Sequence, residues 1–165
     1  MALPANIAAP DLALTTLSGE KFVLSEQTEK AMVVLFFFKI SCPVCQYAAP
    51  FFQRLWQAHV TDPVRFLGIS QDDRKDTEAF IAKYGMKFPV AIDDAPRYRV
   101  SSEYKLTNVP TVYAVSREGD IKLVSVGWAR ADFEQLNTML SMEGHASQPV
   151  QVLRPGEEVA EFKAG

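Results

Sequence analysis

Residues Ala31–Pro50 read AMVVLFFFKISCPVCQYAAP, and what changes at Lys39 decides the fold. Before it, the unbroken apolar run Ala31–Phe38 has the pattern of a strand buried on both faces, as central strands of parallel sheets are. After it, the chain breaks at Lys39-Ile40-Ser41, and Cys42-Pro43-Val44-Cys45 opens a helical pattern. Val44, Tyr47, Ala48, Phe51, Phe52, Leu55 and Trp56 recur at helix spacing, which predicts a helix to about His59. Pro50 falls inside it and is expected to remove one backbone bond and kink it. A strand therefore delivers a thiol to a helix N-terminus.

That placement carries chemistry. Unpaired backbone N–H groups and the positive end of the helix dipole stabilise an anion there, and the thiolate is the reactive form of cysteine. Cys42, at the helix mouth, is the expected nucleophile. Cys45, three residues on, is one turn deeper and within reach of a mixed disulfide on Cys42. Pro43 suits the first helical position, where its missing N–H costs nothing. Lys39 adds positive charge nearby, although a lysine at a strand end is more often merely solvated. The dull alternative for the cysteines, two buried residues that happen to fall three apart, does not account for the strand-to-helix junction between them and the sheet.

Outward from this stretch, 165 residues with 48% hydrophobic content suit one domain with a full core. A net charge of −3, with acids and bases mixed, gives no electrostatic footprint for nucleic acid or an anionic membrane. Two adjacent cysteines exclude a disulfide scaffold, and one CxxC with His59 and His145 elsewhere lacks the second ligand pair of a zinc site. The site implies no cofactor and no metal. No apolar run is long enough to span a bilayer. The opening MALPANIAAPDLAL has neither a basic region nor an apolar core, so the chain as given reads as cytoplasmic, or periplasmic should an export signal precede it.

Upstream, Asp11–Leu14 and Lys21–Leu24 predict a hairpin around Ser18-Gly19-Glu20, with a polar connection from Ser25 to the central strand. Downstream, Val64–Ser70 predicts a strand and Asp72 or Asp73 a helix cap, with Phe80, Ile81 and Tyr84 facing inward up to Gly85. Phe88–Ile92 is extended, and Asp94-Ala95-Pro96 opens a short helix to about Tyr104. Strands at Thr111–Ser116 and Ile121–Val126 flank a turn, and a last helix spans about Ala131–Leu140. The pattern predicts an α/β three-layer sandwich around a mixed central sheet, with a domain over 1–140 and a tail over 141–165 that is surface-docked or mobile. In that tail only Val150–Leu153 looks strand-like. Phe36, Phe37, Phe38, Phe51, Phe52 and Trp56 read as core, and packing is the better reading of Trp128 than a place at the rim of the site. Asp72, Asp73, Asp93 and Asp94 read as caps, and His59 and His145 as surface residues.

The strand followed by Cys42-Pro43-Val44-Cys45, the helix proline Pro50 and the later Val109-Pro110-Thr111 resemble the thioredoxin superfamily. PDLALTTLSGEKFVLSE and the inserted βα segment KYGMKFPVAIDDAPRYRVSSEYKLTNVPT are similar to its TlpA/ResA-like branch, with a flavour shared with the redoxin and AhpC/TSA group. The similarity covers about Pro10 to Leu140. It implies a thioredoxin-like fold and a thiol-disulfide oxidoreductase whose partners are protein thiols or disulfides and an upstream reductant. It further implies that Pro110 follows a cis bond beside the CxxC, and that the backbone of Val109 pairs with a bound substrate strand. Pro43 joins them as a substrate-facing residue.

The sequence also departs from that pattern. Where thioredoxins carry a buried aspartate, six before the first cysteine, stands Phe36; where ResA-type reductants carry a glutamate, three after the second, stands Ala48; the aromatic before the first cysteine is Ser41. No acid for Cys45 is visible on the motif, and Pro43-Val44 lacks the histidine of oxidising enzymes, so an intermediate redox potential is expected. Two other readings compete. A thiol peroxidase needs threonine or serine three before its cysteine and proline three before that, where Lys39 and Phe36 stand. A copper(I) chaperone would use soft thiol ligands, but the related carriers have wider cysteine spacing and a distal histidine.

Overall fold

The computed structural model describes residues 1–165. Its first layer of order is local. A hairpin, β1 (Ala13–Thr15) and β2 (Lys21–Val23), runs directly into a short helix, α1 (Leu24–Thr28). Helix α1 replaces the polar connection expected from Ser25, because Leu24 and Thr28, one turn apart, are both buried. The apolar run forms β3 (Met32–Phe38), in which all seven residues are buried. Then come α2 (Pro43–Ala58), β4 (Val64–Ser70) and α3 (Arg74–Tyr84). Asp73 caps α3 by accepting the Asp76 N–H at 2.8 Å, and Gly85 ends it in the left-handed region at φ 67°, which glycine adopts without Cβ strain.

The inserted segment supplies β5 (Val90–Ile92) and α4 (Arg99–Glu103). Helix α4 begins five residues later than Asp94. The reason is Asp93, whose buried carboxylate accepts the N–H groups of Val100 and Ser101 at 3.1 and 2.7 Å and so fixes the helix start there. Strands β6 (Thr111–Val115) and β7 (Ile121–Val126) follow, then a two-residue strand β8 (Trp128–Ala129), α5 (Arg130–Glu143) and, near the end, β9 (Phe162–Lys163).

The main sheet has the order β5-β4-β3-β6-β7, with β3 parallel to β4 and antiparallel to β6. Alternation along β3 sends Val34, Phe36 and Phe38 to one face, where α2, α3 and α5 contribute Phe52, Phe80 and Phe133. Val33, Leu35 and Phe37 face the other side, against Leu24, Val100 and Tyr104. The sandwich therefore has three layers around a mixed sheet, with β3 at its centre. Its carboxyl end, where Lys39–Ser41 emerge, is where the thiols sit.

Residues 144–165 cross the helical face beside α5. Val152 and Val159 enter the core on that side, each 9% exposed. Asn137 on α5 donates to the Val150 carbonyl at 2.6 Å, and Glu157 takes both guanidinium nitrogens of Arg54 on α2, at 2.9 and 3.2 Å. Val150–Leu153, the strand-like piece, forms no strand; the segment's pairing occurs further on, where β9 lies antiparallel to β8.

Candidate active site

Cys42 is the N-cap of α2, with extended backbone (φ −82°, ψ 115°), and Pro43 takes the first helical position. The Cys42 sulfur receives the Cys45 N–H at 3.3 Å, filling one of the open donor sites of the first turn. Its thiol in turn donates to the Val109 carbonyl at 3.2 Å. Both cysteines are free thiols; Cys42 is half-buried and Cys45 fully buried.

The loop between β3 and α2 is held on both sides. Asp72 Oδ2 accepts the Ile40 N–H at 2.8 Å, Gln46 Nε2 donates to the Ile40 carbonyl at 2.9 Å, and the Cys42 N–H reaches the Lys39 carbonyl at 3.2 Å. These bonds fix the Cys42 position before any partner arrives. Pro50 lies on the exposed side of α2, which continues past it to Ala58 as one helix.

Across from the thiols, the Val109–Pro110 peptide is cis, and Pro110 is buried while Val109 is partly exposed. The Pro110 carbonyl accepts the Gly127 N–H at 2.8 Å, tying this turn to the start of β8. The structure thus brings Cys45 and Val109 to the Cys42 sulfur, with Pro110 next to Val109 across the cis bond and Pro43 exposed beside Cys42.

The Cys45 thiol is pushed well above the ordinary thiol range, first by burial. A backbone hydrogen bond from Lys39 opposes this, and Cys42 and the charge of Asp72 add to it. Phe36 and Ala48, at the positions where the resemblance leads one to seek an acid, are both fully buried in the core. The acid that does act on Cys45 is Asp72, contributed by the turn after β4. Sequence reasoning assigned it only a capping role; its signal was the Asp72-Asp73 pair, of which α3 needs one member for its cap. Trp128 is buried, with its ring 5.4 Å from Tyr47 and 4.8 Å from Phe51. His59, read as a surface residue, is instead 1% exposed, bonded to Asp62 and Asn137.

Fold and dithiol together define a thioredoxin-like thiol-disulfide oxidoreductase. Residues 6–124 match the AhpC/TSA family, and the chain belongs to it. It is 28% identical over 127 residues to the thiol-disulfide oxidoreductase ResA of Geobacillus kaustophilus, covering 76% of this chain and 71% of that one. It is 30% identical over 123 residues to the thioredoxin-like protein YneN of Bacillus subtilis, covering 72% and 69%. Among solved structures, the thioredoxin domain of a thiol-disulfide oxidoreductase from Bacteroides vulgatus superimposes with a TM-score of 0.72 at 18% identity, over 82% of this chain and 96% of that one. No helix is long and apolar enough to cross a membrane.

Proposed function

We propose that the protein reduces disulfides of protein partners, with Cys42 as nucleophile and Cys45 as the resolving thiol. One observation carries the reading: Cys42 Sγ stands at the mouth of α2, receiving the Cys45 N–H, on the half-exposed side of the pair. A partner disulfide can reach a half-exposed sulfur in that place, whereas Cys45 is buried and keeps its proton.

The Cys42 thiolate attacks one sulfur of the partner disulfide. The partner S–S bond breaks, its other sulfur leaves with the electron pair, and a mixed disulfide forms. Cys45 then gives up its proton and attacks Cys42 Sγ, expelling the second partner thiolate. The partner gains two electrons, and the protein is left with a Cys42–Cys45 disulfide. An upstream dithiol reductant restores it by the same exchange in reverse. Val109 and Pro110 supply the wall along which the partner backbone passes, and Pro43 the exposed edge beside Cys42.

Replacing Cys45 with Ser should trap a partner covalently on Cys42, visible as a reductant-sensitive adduct. Cys42→Ser should abolish both adduct formation and insulin disulfide reduction. Retention of insulin reduction by either single variant would overturn the assignment.

A further inference from the structure

Residues 161–165 of the tail lie beside Gly127–Ala129 and Val109. Strand β9 pairs with β8 in the register Trp128↔Lys163 and Ala129↔Phe162, and the Arg130 N–H reaches the Glu161 carbonyl at 2.9 Å. From there residues 164 and 165 continue toward the thiols. A Cβ placed on Gly127 would run into the Lys163 carbonyl oxygen and would meet the Gly165 nitrogen at 2.8 Å. One placed on Gly165 would meet the Val109 carbonyl oxygen at 2.7 Å. Asn108 Nδ2 donates to the Gly165 carbonyl at 3.0 Å. The Val109 carbonyl that receives the Cys42 thiol thus also has the chain's own Gly165 backbone close beside it.

The grip on this segment changes at Ala160. Up to that point it is anchored: Val159 is in the core, Trp128 Nε1 donates to the Ala160 carbonyl at 2.7 Å, and the Ala160 N–H reaches the Tyr47 hydroxyl at 2.9 Å. Beyond it all five residues are exposed, Phe162 at 63%, and the pairing with β8 is two residues long. Backbone pairing of this kind depends little on side chains, and another extended chain can take the same edge.

We infer that residues 161–165 are a strap over the partner groove, and that an extended polypeptide must displace them from Gly127–Ala129 and Val109 to bring its disulfide to Cys42. The inference rests on the dithiol reading above and adds its regulation. Tethered at Ala160, the strap competes as an intramolecular ligand, lowering the apparent affinity for protein partners by the fraction of time the groove is open. A small disulfide that reaches Cys42 without pairing along the groove escapes that competition.

The test is Lys163→Pro in the full chain, which removes an N–H from the two-residue ladder and leaves Cys42, Cys45, Val109 and Pro110 untouched. Relative to the parent, kcat/KM for insulin reduction should rise, by about 3- to 10-fold for a strap that is closed most of the time. The rate with 5,5′-dithiobis(2-nitrobenzoate) should stay within about twofold, because that probe makes no strand pairing. A synthetic peptide of residues 159–165 added to the variant should slow insulin reduction again. Equal insulin kinetics in variant and parent, with the small disulfide still reduced, would overturn the strap. Inactivity of the parent toward both disulfides would instead overturn the dithiol reading itself.

Discussion

The Cys42 thiol donates to the carbonyl oxygen of Val109, 67 residues away, across 3.2 Å. The link needs an S–H, so it exists only while Cys42 is a protonated thiol; a thiolate or a disulfide at Cys42 leaves the carbonyl without this donor. Val109 is bonded through Pro110 to Gly127, whose N–H the Pro110 carbonyl accepts at 2.8 Å. Two hydrogen bonds and one peptide therefore link the Cys42 sulfur to Gly127, the residue before the edge where β9 lies.

The dipeptide between the cysteines sets the balance between dithiol and disulfide. Pro43 and Val44 carry no charge, and the donor that reaches the Cys42 sulfur is a backbone N–H, that of Cys45. Val44→His should place an imidazolium beside that sulfur, stabilise the reduced form and raise the reduction potential. For about 1 kcal/mol of added attraction the rise is on the order of 20 mV. Equilibration with a dithiol redox buffer at pH 7 checks it, and an unchanged or more negative potential contradicts the argument.

Burial of Cys45 has a consequence for stability. Its folded pKa is raised above the unfolded value, so the unfolded chain loses that proton first as pH rises. The neutral thiol therefore costs nothing below the ordinary thiol value of about 8.5, and stability falls above it by up to about 1.4 kcal/mol per pH unit. Buried Tyr104, also raised, adds to the slope once pH passes about 10. Urea unfolding of the reduced protein between pH 7 and 9.5 should show this decline, and Cys45→Ala should flatten it below pH 10. An equal slope in both proteins would rule Cys45 out as its source.

The same shift governs how readily the Cys45 thiol gives up its proton, and Asp72 contributes to it. Its carboxylate is tied to the Ile40 N–H, and its charge raises Cys45 further, a smaller effect than burial. Asp72→Asn keeps an acceptor for Ile40 but removes the charge. In a Cys42→Ser background, alkylation of Cys45 by iodoacetamide should then speed up at a fixed pH below its pKa. The gain should be no more than about tenfold, the factor carried by one pKa unit. Slower alkylation in the variant would show that Asp72 helps to remove the proton rather than to hold it.

How much of this was legible beforehand follows from the range of the forces involved. Strand β3 and helix α2 announce themselves because burial on both sheet faces writes an unbroken apolar run and a helix writes a 3.6-residue period. The CxxC at their junction is local as well. Asp72 acts on a residue 27 positions earlier, through a turn whose direction only the packed sheet fixes, so the Asp72-Asp73 pair reads simply as a cap. The pairing of Phe162–Lys163 with Trp128–Ala129 involves two residues on each side, too few to leave a period-2 signal. In the same way, Val150–Leu153 has the alternation of a strand, but Val150 spends its carbonyl and its N–H on Asn137 and Ser141 of α5.

His59 is the remaining case in which polar composition misleads, and it yields the last prediction. Its Nδ1 lies 2.8 Å from Asp62 Oδ2 and its Nε2 2.9 Å from Asn137 Oδ1, while Asn137 Nδ2 is engaged with the Val150 carbonyl. The ring thereby ties the end of α2 to α5 and to the start of the tail. Gly144 makes room for it, since a Cβ there would fall 2.6 Å from the Asp62 carboxylate. His59→Leu fills similar volume but leaves the Asn137 oxygen, on a residue only 8% exposed, without a donor. The expected cost is about 2–3 kcal/mol, chiefly the penalty of that unpaired buried acceptor and of the lost Asp62 contact. Urea unfolding at pH 7 measures it, and reduction of a small disulfide should remain within about twofold of the parent, because the thiols lie at the opposite end of α2. A loss below about 0.5 kcal/mol would mean that water satisfies Asn137 and that the bridge contributes little.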